Sequence, residues 1–147
     1  IIKVINNSLI LIKMTSKNKI NLIKKTKKTL INGDEDQLNR VFTNLIKNSE
    51  EAFLEKIEKY PNFKGNIDIE ITDNNDYTVI RLTDNGTGIT DAKKAMTPYF
   101  TTKKKGTGLG LPIVTKIINE HSGTFEIKNK SDSTGTVIKI SFPKFNA

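Results

Sequence analysis

Apolar residues recur along this chain with two different periods. Between Asp34 and Lys59 they fall at Leu38, Val41, Phe42, Leu45, Ile46, Ala52, Phe53 and Ile57. That spacing makes one broad stripe of a long helix, with Asp34 placed as its cap and Pro61 ending it. Ile1, Ile2, Ile5, Leu9 and Ile12 predict a short helix from Ile1 to Met14. Leu111, Ile113, Val114, Ile117 and Ile118 predict another, with Pro112 in its first turn and Gly123 at its stop. Elsewhere the period is two. Ile67, Ile69 and Ile71 alternate with Asp68, Glu70 and Thr72, and Ile80 and Leu82 share a face of Tyr77 to Thr83. Phe125 and Ile127 mark a strand from Thr124 to Lys128, and Thr136, Ile138, Ile140 and Phe142 line one face of the last. Lys19 to Ile23 and Thr29 to Ile31 are shorter strand candidates. The expectation is an α+β, two-layer α/β sandwich: a mixed, mostly antiparallel sheet with three helices on one face. Residues 1–147 carry no repeat, low-complexity tract or linker, so one domain is expected.

Composition narrows the chemistry. There is no Cys, which removes disulfides, zinc–thiolate sites and a thiol nucleophile. A single His removes a multi-histidine metal site. No apolar run reaches the length of a membrane span. The net charge of +8, with lysines concentrated at Lys13, Lys17, Lys19, Lys24, Lys25, Lys27 and Lys28, would suit a nucleic-acid binder. No aromatic residues interleave with those lysines to stack on bases, and no nucleic-acid partner is expected.

Three stretches carry candidate chemistry. Lys103 to Val114 reads KKKGTGLGLPIV, with lysines running into glycines at Gly106, Gly108 and Gly110 and then straight into a helix. Backbone N–H groups at such a turn, with the positive end of the helix dipole, suit a phosphate chain; the same run also serves as a plain connector. The spacing matches neither the P-loop nor the Rossmann fingerprint, whose sixth position here is Leu111. On the long helix, Asn44 and Asn48 lie one turn apart at the edge of the apolar stripe, able to point into a cleft or to remain surface amides. Finally, period two puts Asp84 on the inward face of its strand, at the start of Asp84-Asn85-Gly86-Thr87-Gly88-Ile89. An inward carboxylate needs a donor, unless it merely caps the turn. From Thr90 to Lys105 no period is clear, and a loop of that length suggests a functional lid.

Taken together, NLIKNSEEA from Asn44, DNGTGI from Asp84, TPYFTTK from Thr97 and GTGLGL from Gly106, with Gly135-Thr136 behind them, resemble the catalytic and ATP-binding domain of sensor histidine kinases. That domain has the Bergerat fold, shared with gyrase, Hsp90 and MutL, and the wording TPYFTTKKKGTGLGL is most similar to the nitrogen-regulation sensor group. The resemblance implies ATP and Mg²⁺ as cofactors. It implies that Asp84 accepts from the adenine amino group, that Thr136 reaches the adenine edge and that Asn48 gives its amide oxygen to Mg²⁺. Asn44 would stand near the phosphates. Gly86, Gly88 and Ile89 would shape the pocket. Phe100, Thr101 and Thr102 would belong to a mobile lid, with Lys103 at the terminal phosphate. Gly106, Thr107, Gly108, Leu109, Gly110 and Leu111 would wrap the phosphates.

The same resemblance implies a division of labour. Where the ATPase branch has a Glu that activates water, this chain has Asn44, a neutral amide that takes no proton. The nucleophile would be a histidine on a separate helical dimerisation domain, and a response regulator would act downstream. Dimerisation through that domain and a cytoplasmic location are expected too. His121, followed by Ser122 near a helix end, reads as structural. Positions 51 and 52, where many members carry a basic residue, hold Glu and Ala.

Overall fold

The computed structural model describes residues 19–25, 31–88, 110–131 and 133–144. They form five strands and two helices: β1 (Lys19–Lys24), α1 (Glu35–Lys59), β2 (Asn66–Asp73), β3 (Tyr77–Asp84), α2 (Gly110–Glu120), β4 (Thr124–Asn129) and β5 (Thr136–Pro143). The strands make one sheet in the order β1-β2-β3-β5-β4. Only β1 and β2 run parallel; the long α1 connects them, as a parallel pair requires. The other three pairings are antiparallel.

Register aligns the isoleucines into rows on the inner face. Ile71 pairs with Ile80, Ile80 with Ile140 and Ile140 with Phe125; one step along, Ile69 pairs with Leu82, Leu82 with Ile138 and Ile138 with Ile127. Against these rows α1 lays Leu38, Val41, Phe42, Leu45, Ile46 and Phe53, and α2 lays Leu111, Val114, Ile117 and Ile118, all buried. Each such side chain contributes about 1.5–3 kcal/mol on leaving water. The next inner row is different. There Ile67 pairs with Asp84, and Thr136 follows Ile138 on the same face. The sheet's apolar inner surface thus ends in a buried carboxylate.

The ends of α1 are chemically defined. Asp34 Oδ1 accepts from the N–H groups of Asp36 and Gln37 at 2.9 and 3.2 Å. Glu35 and Asp36 in the first turn, with Lys56 and Lys59 in the last, complement the helix dipole.

Three expectations need correction. The described residues contain two helices on the sheet, not three. The expected helix from Ile1 to Met14 lies outside the described residues, and α1 and α2 together cover the inner isoleucine rows. Ile57, read as part of the buried stripe, is 37% exposed; Ser49, at 2%, occupies the stripe instead. Of the strand candidate at Thr29 to Ile31, residues 29–30 lie outside the described set, and Ile31 is not in a strand.

Candidate nucleotide-binding site

Asp84 closes β3 and is 5% exposed. Its Oδ1 accepts from the N–H groups of Gly86 at 3.0 Å and Thr136 at 3.2 Å, and its Oδ2 accepts from Ser49 Oγ at 2.7 Å. Burial of a carboxylate is tolerated only with such donors. An ionised carboxylate offers about four lone-pair sites. Three are used. The turn-capping bond to Gly86 is therefore real, but it is one of several and does not exhaust the group. The remaining acceptor capacity, on a rigidly held oxygen in a buried setting, suits an amino group such as that of adenine.

Backbone geometry around Asp84 is set by close approach. Gly135 has φ 138°, and a Cβ there would stand 2.1 Å from the Asp84 carbonyl oxygen. No side chain fits, so the β4–β5 turn can lie directly on the end of β3. Gly88, at φ 81°, is in the left-handed region, and a Cβ there would stand 2.7 Å from Asn129 Oδ1. A Cβ at Gly86 would meet that of Ala52 at 2.8 Å, so the turn presses on α1.

A second set of bonds fixes the same turn from outside. Lys56 Nζ, on α1, donates to the Asn85 carbonyl at 2.8 Å and to Thr134 Oγ1 at 2.6 Å, and stands 3.5 Å from the Gly86 carbonyl. The ammonium also stands 4.6 Å from the centre of the Phe63 ring. Asn85 bridges the chain before β2: its Oδ1 accepts from Asn66 N at 2.7 Å and its Nδ2 donates to the Lys64 carbonyl at 3.1 Å.

Several residues singled out in the sequence converge here. Asp84, Gly86, Gly88 and Thr136 lie together at one end of the sheet, and Ser49 ties them to α1. Asn48 directly precedes Ser49, and both Asn44 and Asn48 are half-buried on that helix. Gly110 begins α2, and Leu111 is buried beneath it. Ile89, Phe100, Thr101, Thr102, Lys103, Gly106, Thr107, Gly108 and Leu109 lie outside the described residues. Among the described residues no group of three or more His, Cys, Asp or Glu side chains is placed to hold a metal ion. Mg²⁺ needs no such group, since an amide oxygen, phosphate oxygens and water complete its shell.

Sequence reasoning missed Ser49 and Lys56. Ser49 was discoverable: it falls on the helix stripe between Leu45 and Ala52, where a hydroxyl must find a partner. Lys56 carried no signal, because a lysine at a helix end is ordinarily solvated. His121 sits at the far end of α1. Its Nδ1 lies 2.8 Å from the Ile117 carbonyl and its Nε2 accepts from Asp34 N at 3.0 Å. Both ring nitrogens are thus engaged with backbone, as a structural role requires.

Comparison with known proteins gives the family and the fold. The family described as "Histidine kinase-, DNA gyrase B-, and HSP90-like ATPase" matches residues 33–146. Sporulation kinase A of Bacillus subtilis (strain 168) is 40% identical over 116 residues, covering 78% of this chain and 18% of that protein. A putative sensor histidine kinase NtrY-like of Rickettsia conorii is 39% identical over 111 residues, or 74% and 17%. The chain therefore spans less than a fifth of either. Among solved structures, the catalytic domain of histidine kinase ThkA superposes with TM-score 0.80 at 26% identity, covering 97% of this chain and 91% of that one. The mycobacterial sensor histidine kinase MprB gives 0.81 at 21% identity, over 99% and 95%, a likeness of fold. This chain belongs to the histidine kinase-, gyrase B- and HSP90-like ATPase family, as an ATP-binding domain of the histidine-kinase kind related to NtrY-like and sporulation kinases.

Proposed function

We propose that this domain binds Mg·ATP and presents the terminal phosphoryl group to a histidine on a separate helical dimerisation domain, from which a response regulator is phosphorylated. The observation that carries the reading is the buried Asp84 carboxylate, held by three donors with acceptor capacity to spare. Adenine offers an amino hydrogen there. Guanine offers a carbonyl oxygen, and two acceptors facing one another in a buried site repel.

In this reading Asp84 orients the base and Thr136 borders its edge. Gly86, Gly88 and Ile89 leave room for the rings. Asn48 would hold Mg²⁺ through its amide oxygen, with Asn44 beside it near the phosphates. Mg²⁺ supplies charge neutralisation on the phosphates when bound. Phe100, Thr101, Thr102 and Lys103, with the run Gly106, Thr107, Gly108, Leu109, Gly110 and Leu111, would enclose the phosphate chain through N–H groups and one ammonium. Asn44 also decides the acceptor: a neutral amide activates no water, so an outside nucleophile is required. The domain would work in the cytoplasm, where ATP is available. Among the described residues no helix is long and apolar enough to cross a membrane.

The test is to mix the chain with Mg·ATP and a histidine-bearing helical domain of a related kinase and measure acid-labile phosphate. Phosphate should appear on the helical domain only when both are present, with negligible release of inorganic phosphate by this chain alone. Steady ATP hydrolysis by the isolated chain would instead make it a self-sufficient ATPase and remove the role given to Asn44.

A further inference from the structure

We infer that Lys56 is a positioning residue for the purine site, holding together the two backbone turns between which Asp84 works; this rests on Asp84 being the adenine acceptor. Lys56 makes no hydrogen bond to the carboxylate. Its ammonium instead donates to the Asn85 carbonyl in the turn after β3 and to Thr134 in the turn before β5. Those turns supply the Gly86 and Thr136 N–H groups that orient Asp84 Oδ1. Between them, Gly135 rests against the Asp84 carbonyl, leaving no side chain to wedge the turns apart.

The chemistry suits a strut rather than a ligand. Lysine has three donors and no acceptor. Two are used on separate strands' turns, and the Gly86 carbonyl at 3.5 Å lies next to the third. Phe63 backs the ammonium at 4.6 Å and is itself packed on Phe53 of the core at 5.8 Å between ring centroids. The strut is therefore anchored to the helix, the core and both turns at once. Loss of the ammonium would let the turns separate, so that the two N–H groups on Asp84 Oδ1 and the edge of Thr136 no longer share one geometry. The cost falls on base recognition, not on the phosphates.

Nucleotide titration of the chain separates the possibilities. Lys56→Met keeps an unbranched apolar stem over Phe63 and removes the donors; it should weaken ATP and ADP equally, by about tenfold, while Lys56→Arg recovers most of the affinity. Equal loss for the two nucleotides marks the base as the affected part. Thr134→Val, at an exposed position, removes one anchor with the fold intact and should weaken both by about threefold; it carries the test if Lys56→Met does not fold. Asp84→Asn is measured alongside. If Asp84→Asn abolishes binding while Lys56→Met and Thr134→Val bind like the parent, the strut is wrong and the purine site stands. If Asp84→Asn also binds like the parent, both fall. A loss in Lys56→Met confined to ATP, with ADP unaffected, would place Lys56 at the phosphates and overturn the inference.

Discussion

Asp84 is the residue where burial and the proposed function pull in the same direction. A carboxylate on a residue 5% exposed survives only because Ser49, Gly86 and Thr136 donate to it. Asp84→Asn preserves most of that arrangement, since an amide oxygen still accepts from the two N–H groups and the Ser49 hydroxyl can rotate to accept from the amide nitrogen. What it cannot preserve is acceptance toward a purine amino group. The expected outcome is a folded protein whose ATP affinity falls by about a hundredfold or more, read by calorimetric titration; parental affinity in this variant would sink the adenine assignment. Ser49→Ala acts the other way. It leaves Oδ2 short of a donor in a buried setting and should cost about 1–3 kcal/mol of stability in urea unfolding.

At the scale of elements, α1 carries the molecule. One face packs the core through Phe42, Leu45 and Phe53, its N-terminus is closed by Asp34, and its C-terminal turn is tied through Lys56 to the turns after β3 and before β5. Leu45→Ala should therefore lower stability by about 2–5 kcal/mol, with a reduced urea midpoint and unchanged m-value. Asp34→Ala should cost only about 1 kcal/mol, because it removes a cap and leaves the packed face alone. Most of this helix was legible in the sequence: a stripe of period 3.6, a capping Asp and a terminating Pro each have a local cause. The strands were legible for the same reason, as alternation fixes which isoleucines face inward. Less was legible where partners are distant. Nothing in the local pattern of Lys56 announces that its ammonium would meet residues 85 and 134, and nothing in the local stripe announces that Ile57 would be exposed. Asp84 was found because its strand's period pointed it inward, whereas the identity of its donors depended on sheet order.

For the whole molecule, ligand and fold are thermodynamically linked. If ATP binds the folded state alone, then at a free concentration about a hundred times its Kd it should add about 2.7 kcal/mol of stability. For a domain of this size that raises the melting midpoint by about 5–10 °C. Differential scanning with Mg·ATP checks this; GTP at the same concentration should give a much smaller rise. The acceptor is also assembled late. Ser49 and Thr136 meet Asp84 across 35 and 52 residues of sequence respectively. A nascent chain emerging from the ribosome as far as Asn129 would already hold both helices and four of the described strands. It would still lack the strand whose Thr136 N–H completes the donors on Asp84, the proposed purine acceptor. Capture on an immobilised adenine nucleotide should for that reason retain finished chains and pass prematurely stopped ones.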